Sequence, residues 1–152
     1  TRVCAQLGMD RINKGMAGTC LMERAVADYL AARNDYDFAV YELGSNIPDT
    51  MSEEEFCGRV KYLLSAYAQA HPDKPLFVID DLIILGEGHE ARRRQVKKCL
   101  EQLGNPSFVY INGREMLPDA KYLSADFVHP TVEGHIVMSD YLLRAVRGRT
   151  MG

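Results

Sequence analysis

No apolar stretch in the chain approaches the roughly 20 residues needed to cross a bilayer, which excludes a membrane-spanning helix. The first residues do not show the charged-then-apolar order of a secretory leader. Basic charge is not in excess either: 18 Lys and Arg stand against 21 Asp and Glu, a formal charge of −3. A non-specific nucleic-acid binder needs a cationic surface to displace counterions, so that class is excluded as well. The run Arg92-Arg93-Arg94, with Lys97 and Lys98, is read as the solvated face of a helix. Of the four cysteines, Cys4, Cys20, Cys57 and Cys99, no two have the short spacing of a zinc site or a redox pair. They read as small, buried or half-buried thiols in helix-like segments, and point to a reducing, cytoplasmic setting. Internal repeats, low-complexity tracts and linkers are lacking too.

What is present suits one domain. The 152 residues are 47% hydrophobic and 26% charged. A chain this long buries roughly 68–70% of its unfolded surface, so it needs no disulfide or metal staple. Ala17 to Arg33 carries apolar residues at helical spacing. Asp37 to Leu43 is a short apolar run closed by Gly44, which suits a buried strand. Ser52 followed by Glu53, Glu54 and Glu55 predicts a helix start, with a cap and three anions at the positive end of the helix dipole. That helix is expected to reach Ala70. A strand over Pro75–Asp80, a helix over His89–Leu103 stopped by Gly104, and a strand over Ser107–Ile111 follow. A long loop then leads to a final helix over Pro130–Val146, and Met9 to Asn13 is read as one more short strand. Helix alternates with continuously apolar strand, which predicts an α/β fold of three layers with a mainly parallel sheet. Ligands gather at the carboxyl ends of such strands, so the residues leaving each strand deserve inspection.

Asp126-Phe127-Val128-His129-Pro130 stands just ahead of the last helix. A carboxylate three residues before a histidine can turn back, accept from Nδ1–H, and leave Nε2 free as a base. Pro130 would occupy the first helical position. The alternative is a surface loop with Asp126 as a helix cap. Gly44-Ser45-Asn46 follows a strand; its glycine permits a sharp exit, and the Asn46 amide can donate to a developing oxyanion. A plain turn chosen for its Gly and Asn conformations is the other reading. Asn13-Lys14-Gly15-Met16-Ala17-Gly18 has the glycines that allow close backbone approach to a ligand. It lacks both the Lys-Ser/Thr ending of a phosphate loop and the Gly-x-Gly-x-x-Gly spacing of a dinucleotide fold. Asp80 and Asp81, with Glu87 and His89, offer candidate divalent-metal ligands. A polar loop over the sheet edge, with Asp81 and Glu87 hydrated, is the preferred reading, and no metal or cofactor is expected.

Taken in order, these elements resemble the SGNH (GDSL-type) hydrolase family over Met9 to Arg147. Asn13, Gly15 and Gly18 match its second block. Gly44-Ser45-Asn46 matches Gly-x-Asn-Asp, with Ile47 replacing the usual Asp. Asp126, His129 and Pro130 match Asp-x-x-His-Pro. The resemblance implies a flavodoxin-like fold and a serine esterase or deacylase acting on a short acyl ester of a sugar, lipid or alcohol, with no nucleic-acid or membrane partner. It implies His129 as general base and acid, Asp126 as its orienting partner, and the Gly15 N–H and Asn46 amide as oxyanion donors. The first block, Gly-Asp-Ser, is missing: none of Ser45, Ser52, Ser65, Ser107, Ser124 and Ser139 has that setting. The first strand and its serine are therefore expected ahead of Thr1. The rival reading is a non-catalytic α/β domain that binds a ligand or partner, and oligomerisation is open to either.

Overall fold

The computed structural model describes residues 1–82, 85–86 and 88–150. Helix α1 (Arg2–Leu7) and α2 (Arg24–Ala31) precede strand β1 (Ala39–Glu42). Then come α3 (Glu53–Ala70), β2 (Leu76–Ile79), α4 (His89–Leu103) and β3 (Phe108–Ile111). A short α5 (Gly113–Met116), a 3₁₀ turn (Ala120–Tyr122) and α6 (Val132–Thr150) complete the order. The three strands are parallel in the order β1-β2-β3, with Val40, Phe77 and Val109 in register.

Burial explains the layers. Along β2 the side chains alternate in direction, so Leu76 and Val78 enter one apolar cluster while Phe77 and Ile79 enter another. The first cluster is filled by Ala27 of α2, Phe56, Val60, Leu64 and Tyr67 of α3, and Val96 and Leu100 of α4. Met116 of α5 and Val146 of α6 supply the second, with Leu7 of α1 packed against it. The sheet is thus covered on both faces, and the expected three-layer α/β fold is present. No helix among the described residues is long and apolar enough to cross a membrane.

Helix boundaries follow local chemistry where caps are strong. Ser52 Oγ accepts from the Glu55 N–H at 3.1 Å, and α3 begins at Glu53. Gly104, at φ 56, closes α4. His71 ends α3 buried between Tyr36 and Tyr67, its Nε2 2.9 Å from the Ala31 carbonyl. Other expectations fail. The helix drawn over 17–33 is only α2, because residues 17–23 turn back over the end of β1, where the Cys20 thiol donates to the Glu42 carbonyl. Cys20 is therefore in a loop. Met9 to Asn13 forms no strand, and its Met9 N–H instead donates to the Cys4 carbonyl at 3.0 Å. The stretch 112–129, expected as loop, contains α5 and the 3₁₀ turn, each started by a side-chain cap from Asn112 or Asp119. Arg93 does not belong to a solvated face: it is buried and donates to the Asp81 carbonyl at 2.9 Å.

Candidate active site

At the carboxyl ends of β1 and β2 the backbone exits interlock. Leu43 extends the ladder by donating to the Ile79 carbonyl at 2.9 Å. Gly44 then turns at φ 125, a conformation that a side chain resists, and a Cβ there would lie 3.0 Å from Asp81 Cβ. Ser45 and Asn46 follow on this turn. Asn46 Oδ1 accepts from the Cys20 N–H at 3.3 Å, which fixes the orientation of the amide. Its Nδ2 has no hydrogen-bond partner among the described residues. Ile47, where the resembled motif has Asp, is buried in the first apolar cluster. The turn is thus anchored by apolar burial on one side and by the Ser45 hydroxyl on the other.

The Asp126–His129 loop reaches the same edge by way of α6. Arg149, near the end of α6, donates to the Pro106 carbonyl at 2.7 Å, just ahead of β3. Tyr141, midway, donates to Glu115 of α5 at 3.1 Å, just past the end of β3. Helix α6 therefore runs against the strands, and its beginning lies at their carboxyl end. Thr131 caps it, accepting from the Gly134 N–H at 3.1 Å, so Pro130 precedes the helix rather than opening it. The preceding loop closes on itself. Ser124 N–H donates to the His129 carbonyl at 2.7 Å, and Leu123 pairs with Pro130 in an isolated bridge.

Within that loop Asp126 accepts four hydrogen bonds. Oδ1 takes the Ser124 hydroxyl at 2.8 Å and the N–H groups of Val128 and His129 at 2.9 Å each. Oδ2 lies 2.6 Å from His129 Nδ1. The imidazole first, then these backbone donors and the hydroxyl, hold the Asp126 carboxyl well below the usual carboxylate range. An ionised carboxylate can only accept, so Nδ1 carries the proton and Nε2 of the neutral ring is the lone-pair nitrogen. The His129 side chain is 78% exposed. The loop also holds Phe127 at φ 56, an uncommon conformation for a bulky residue, with its side chain exposed.

Gly15 lies in an irregular, exposed segment, and its N–H donates to Asn13 Oδ1 at 3.1 Å. That donor is thus engaged rather than free. No hydrogen bond among the described residues joins the Asp126–His129 pair to Gly15 or Asn46. Among the described residues no serine bonds to His129 Nε2: Ser124 reaches Asp126, Ser45 reaches Glu42 and Asp81, Ser107 donates to the Pro72 carbonyl, and Ser139 to that of His135. Burial pushes the Cys20 thiol up to about 11 and the Cys99 thiol likewise to about 11, which disfavours the nucleophilic thiolate at both. A cleft of about 410 Å³ is lined by Glu53, Cys57, Lys61 and Lys98, and none of the four site residues borders it.

Asp81 is not hydrated, contrary to expectation. It is fully buried, with His89 Nδ1 at 2.7 Å and Ser45 Oγ at 3.2 Å. Glu87 lies outside the described residues. Asp80, equally buried, accepts from Tyr110 at 2.5 Å and the Gly113 N–H at 2.6 Å, tying β2 to β3. This arrangement was missed in the sequence, where only the adjacent pair Asp80-Asp81 at a strand exit hinted at it.

Residues 3–147 match the model of the GDSL-like Lipase/Acylhydrolase family. No match is found among curated proteins. Among solved structures, a salicylyl-acyltransferase from a tetracycline biosynthetic pathway is 18% identical, with TM-score 0.78 over 96% of this chain and 48% of its own. A structure named as a GDSL-like lipase from Bacteroides ovatus is 23% identical, with TM-score 0.79 over 97% and 45%. A carbohydrate esterase of family 3 from Talaromyces cellulolyticus is 17% identical, with TM-score 0.66 over 95% and 86%. At these identities the likeness is one of fold, and the chain spans about half the length of the first two.

Proposed function

Because the chain belongs to the GDSL-like lipase/acylhydrolase family, we propose that it carries the base and oxyanion side of a serine esterase active site. His129 is the general base, Asp126 orients it, and Asn46 and Gly15 donate to the oxyanion. The nucleophile is a serine from a segment outside these 152 residues. The observation that carries this reading is the Asp126–His129 bond of 2.6 Å, with the carboxylate ionised and Nε2 left as the free lone pair.

The reaction is a double displacement. Nε2 of His129 takes the serine proton as Oγ attacks the ester carbonyl. The carbonyl oxygen becomes an oxyanion, which the Asn46 Nδ2–H meets, and the Gly15 N–H meets it after leaving Asn13. The tetrahedral species collapses, the imidazolium hands its proton to the departing alcohol, and an acyl-serine remains. Water, deprotonated by His129, repeats the sequence and releases the acid. The substrate is a short acyl ester of a sugar, lipid or small alcohol. The fold shared with a carbohydrate esterase favours a sugar ester.

In the full-length protein, His129→Ala is expected to lower kcat on p-nitrophenyl acetate by several orders of magnitude. Asp126→Asn is expected to cost roughly 10⁴ in kcat, because an amide N–H facing Nδ1 drives the proton onto Nε2 and removes the base. Unchanged kcat in both variants would remove His129 and Asp126 from the catalytic machinery, and no turnover by the wild type would favour a non-catalytic binding domain.

A further inference from the structure

The turn that carries Asn46 is held from behind by a chain of hydrogen bonds that the esterase reading leaves unused. Glu42, the last residue of β1, lies 2.6 Å from Ser45 Oγ through its Oε1. Ser45 Oγ is also 3.2 Å from Asp81 Oδ1 and accepts the Leu82 N–H at 3.2 Å. The far oxygen of Asp81 meets His89 Nδ1 at 2.7 Å, and the His89 side chain is 14% exposed.

A serine hydroxyl has one proton, so it cannot donate to both carboxyl groups at once. The Ser45 hydroxyl is within donating distance of both, 2.6 Å from Glu42 Oε1 and 3.2 Å from Asp81 Oδ1, and so ties the exit of β1 to that of β2. A fully buried carboxylate is costly unless it is paired, and His89 Nδ1–H meets the other oxygen of Asp81 at 2.7 Å. Arg93 holds the backbone of the same residue by donating to the Asp81 carbonyl at 2.9 Å. Removing His89 takes that donor from Asp81, changes how its carboxylate meets Ser45, and so alters the residue next to Asn46.

This assembly is not a second catalytic triad. Ser45 is bonded to carboxyl groups, and no contact among the described residues links its hydroxyl to His89 Nε2, so His89 has no path to deprotonate it. Its effect falls instead on the backbone that aims the Asn46 amide. We propose that His89 is a positioning residue for Asn46, acting through Asp81 and Ser45. The inference rests on the reading of Asn46 as an oxyanion donor.

The test uses the full-length protein, with p-nitrophenyl acetate as substrate and the Asn46 side-chain amide followed by ¹⁵N NMR. His89→Ala is expected to lower kcat roughly 10- to 100-fold with KM little changed, since a displaced oxyanion donor acts on the transition state. His89→Asn, whose amide N–H replaces Nδ1–H, recovers most of that loss. His89→Gln, whose amide falls at the Nε2 position, behaves like alanine and serves if alanine does not fold. In an Asn46→Ala background, His89→Ala adds less than about twofold, because the two changes remove the same interaction. The Asn46 amide pair, sharp in the wild type and in His89→Asn, broadens or shifts in His89→Ala and His89→Gln. Fully multiplicative losses, equal activity of the Asn and Gln variants, or a lowered Tm with kcat intact would each overturn the proposal. If the wild type hydrolyses no ester, the esterase reading falls, and the amide resonances alone decide whether His89 positions Asn46.

Discussion

Replacing Gly44 with alanine perturbs the point where the exits of β1 and β2 touch. Two penalties add. Gly44 sits at φ 125, and forcing an L side chain into such a region costs about 1–3 kcal/mol. The new Cβ would also lie 3.0 Å from Asp81 Cβ and 3.5 Å from both Asp81 Cα and Oδ2. Favourable carbon contacts begin near 3.5 Å, and overpacking of this kind typically costs about 1–3 kcal/mol. Asp81 has nowhere to withdraw. Its carboxylate is tied to His89 and Ser45, its carbonyl is tied to Arg93, and a Cβ on Gly113 would lie 2.7 Å from that same carbonyl oxygen. Gly44→Ala is therefore expected to destabilise the protein by about 2–6 kcal/mol, a large share of the roughly 5–15 kcal/mol typical of a domain. Urea titration gives the measurement: the midpoint falls while the m-value is unchanged. Gly58→Ala is the control, on the exposed face of α3 with nothing within 4 Å of the added carbon. It is expected to stabilise by up to about 1 kcal/mol, through helix propensity alone. A loss below about 0.5 kcal/mol for Gly44→Ala would refute the steric argument, because that is the range of ordinary surface changes.

Two further changes test the site's surroundings. Phe127→Gly relieves the left-handed strain at φ 56 and removes a mostly exposed ring, so thermal unfolding is expected to show a gain of up to about 1 kcal/mol after the entropy cost of glycine. A loss of stability would mean that the ring is packed in the native loop. Glu42→Gln tests the buried carboxyl, whose folded value is raised above the ordinary 4.5 chiefly by burial. Between those two values the folded state binds more protons than the unfolded state, so wild-type stability falls as pH rises. The advantage of Glu42→Gln is expected to be small in acid below the ordinary value and to grow as pH climbs through the raised one. A difference independent of pH would show that Glu42 ionises normally.

The central strands, the two long middle helices and the Asp126–His129 pair were legible in the sequence because their signals are local. A continuous apolar run such as Leu76 to Ile79 requires burial on both faces wherever it lies. Ser52 caps α3 and Gly104 ends α4 through atoms within a few residues of each other. Asp126 and His129 are three residues apart, so one turn of backbone is enough to join them. The tertiary structure decided what depends on distant partners. Residues 17–23 have a helical pattern, yet Cys20 gives its N–H to Asn46 across 26 residues instead of to a preceding turn. Arg93 reads as one of a solvated basic run, but Asp81, 12 residues away, draws it into the interior. Asp81 itself reads as a hydrated loop carboxylate. It is buried because Gly44 leaves room for it and because Ser45, brought to it by the parallel pairing of β1 with β2, and His89 lie against its two oxygens. Periodicity and capping act along the chain, whereas burying a charge depends on which strand exits meet, and only the folded sheet sets that.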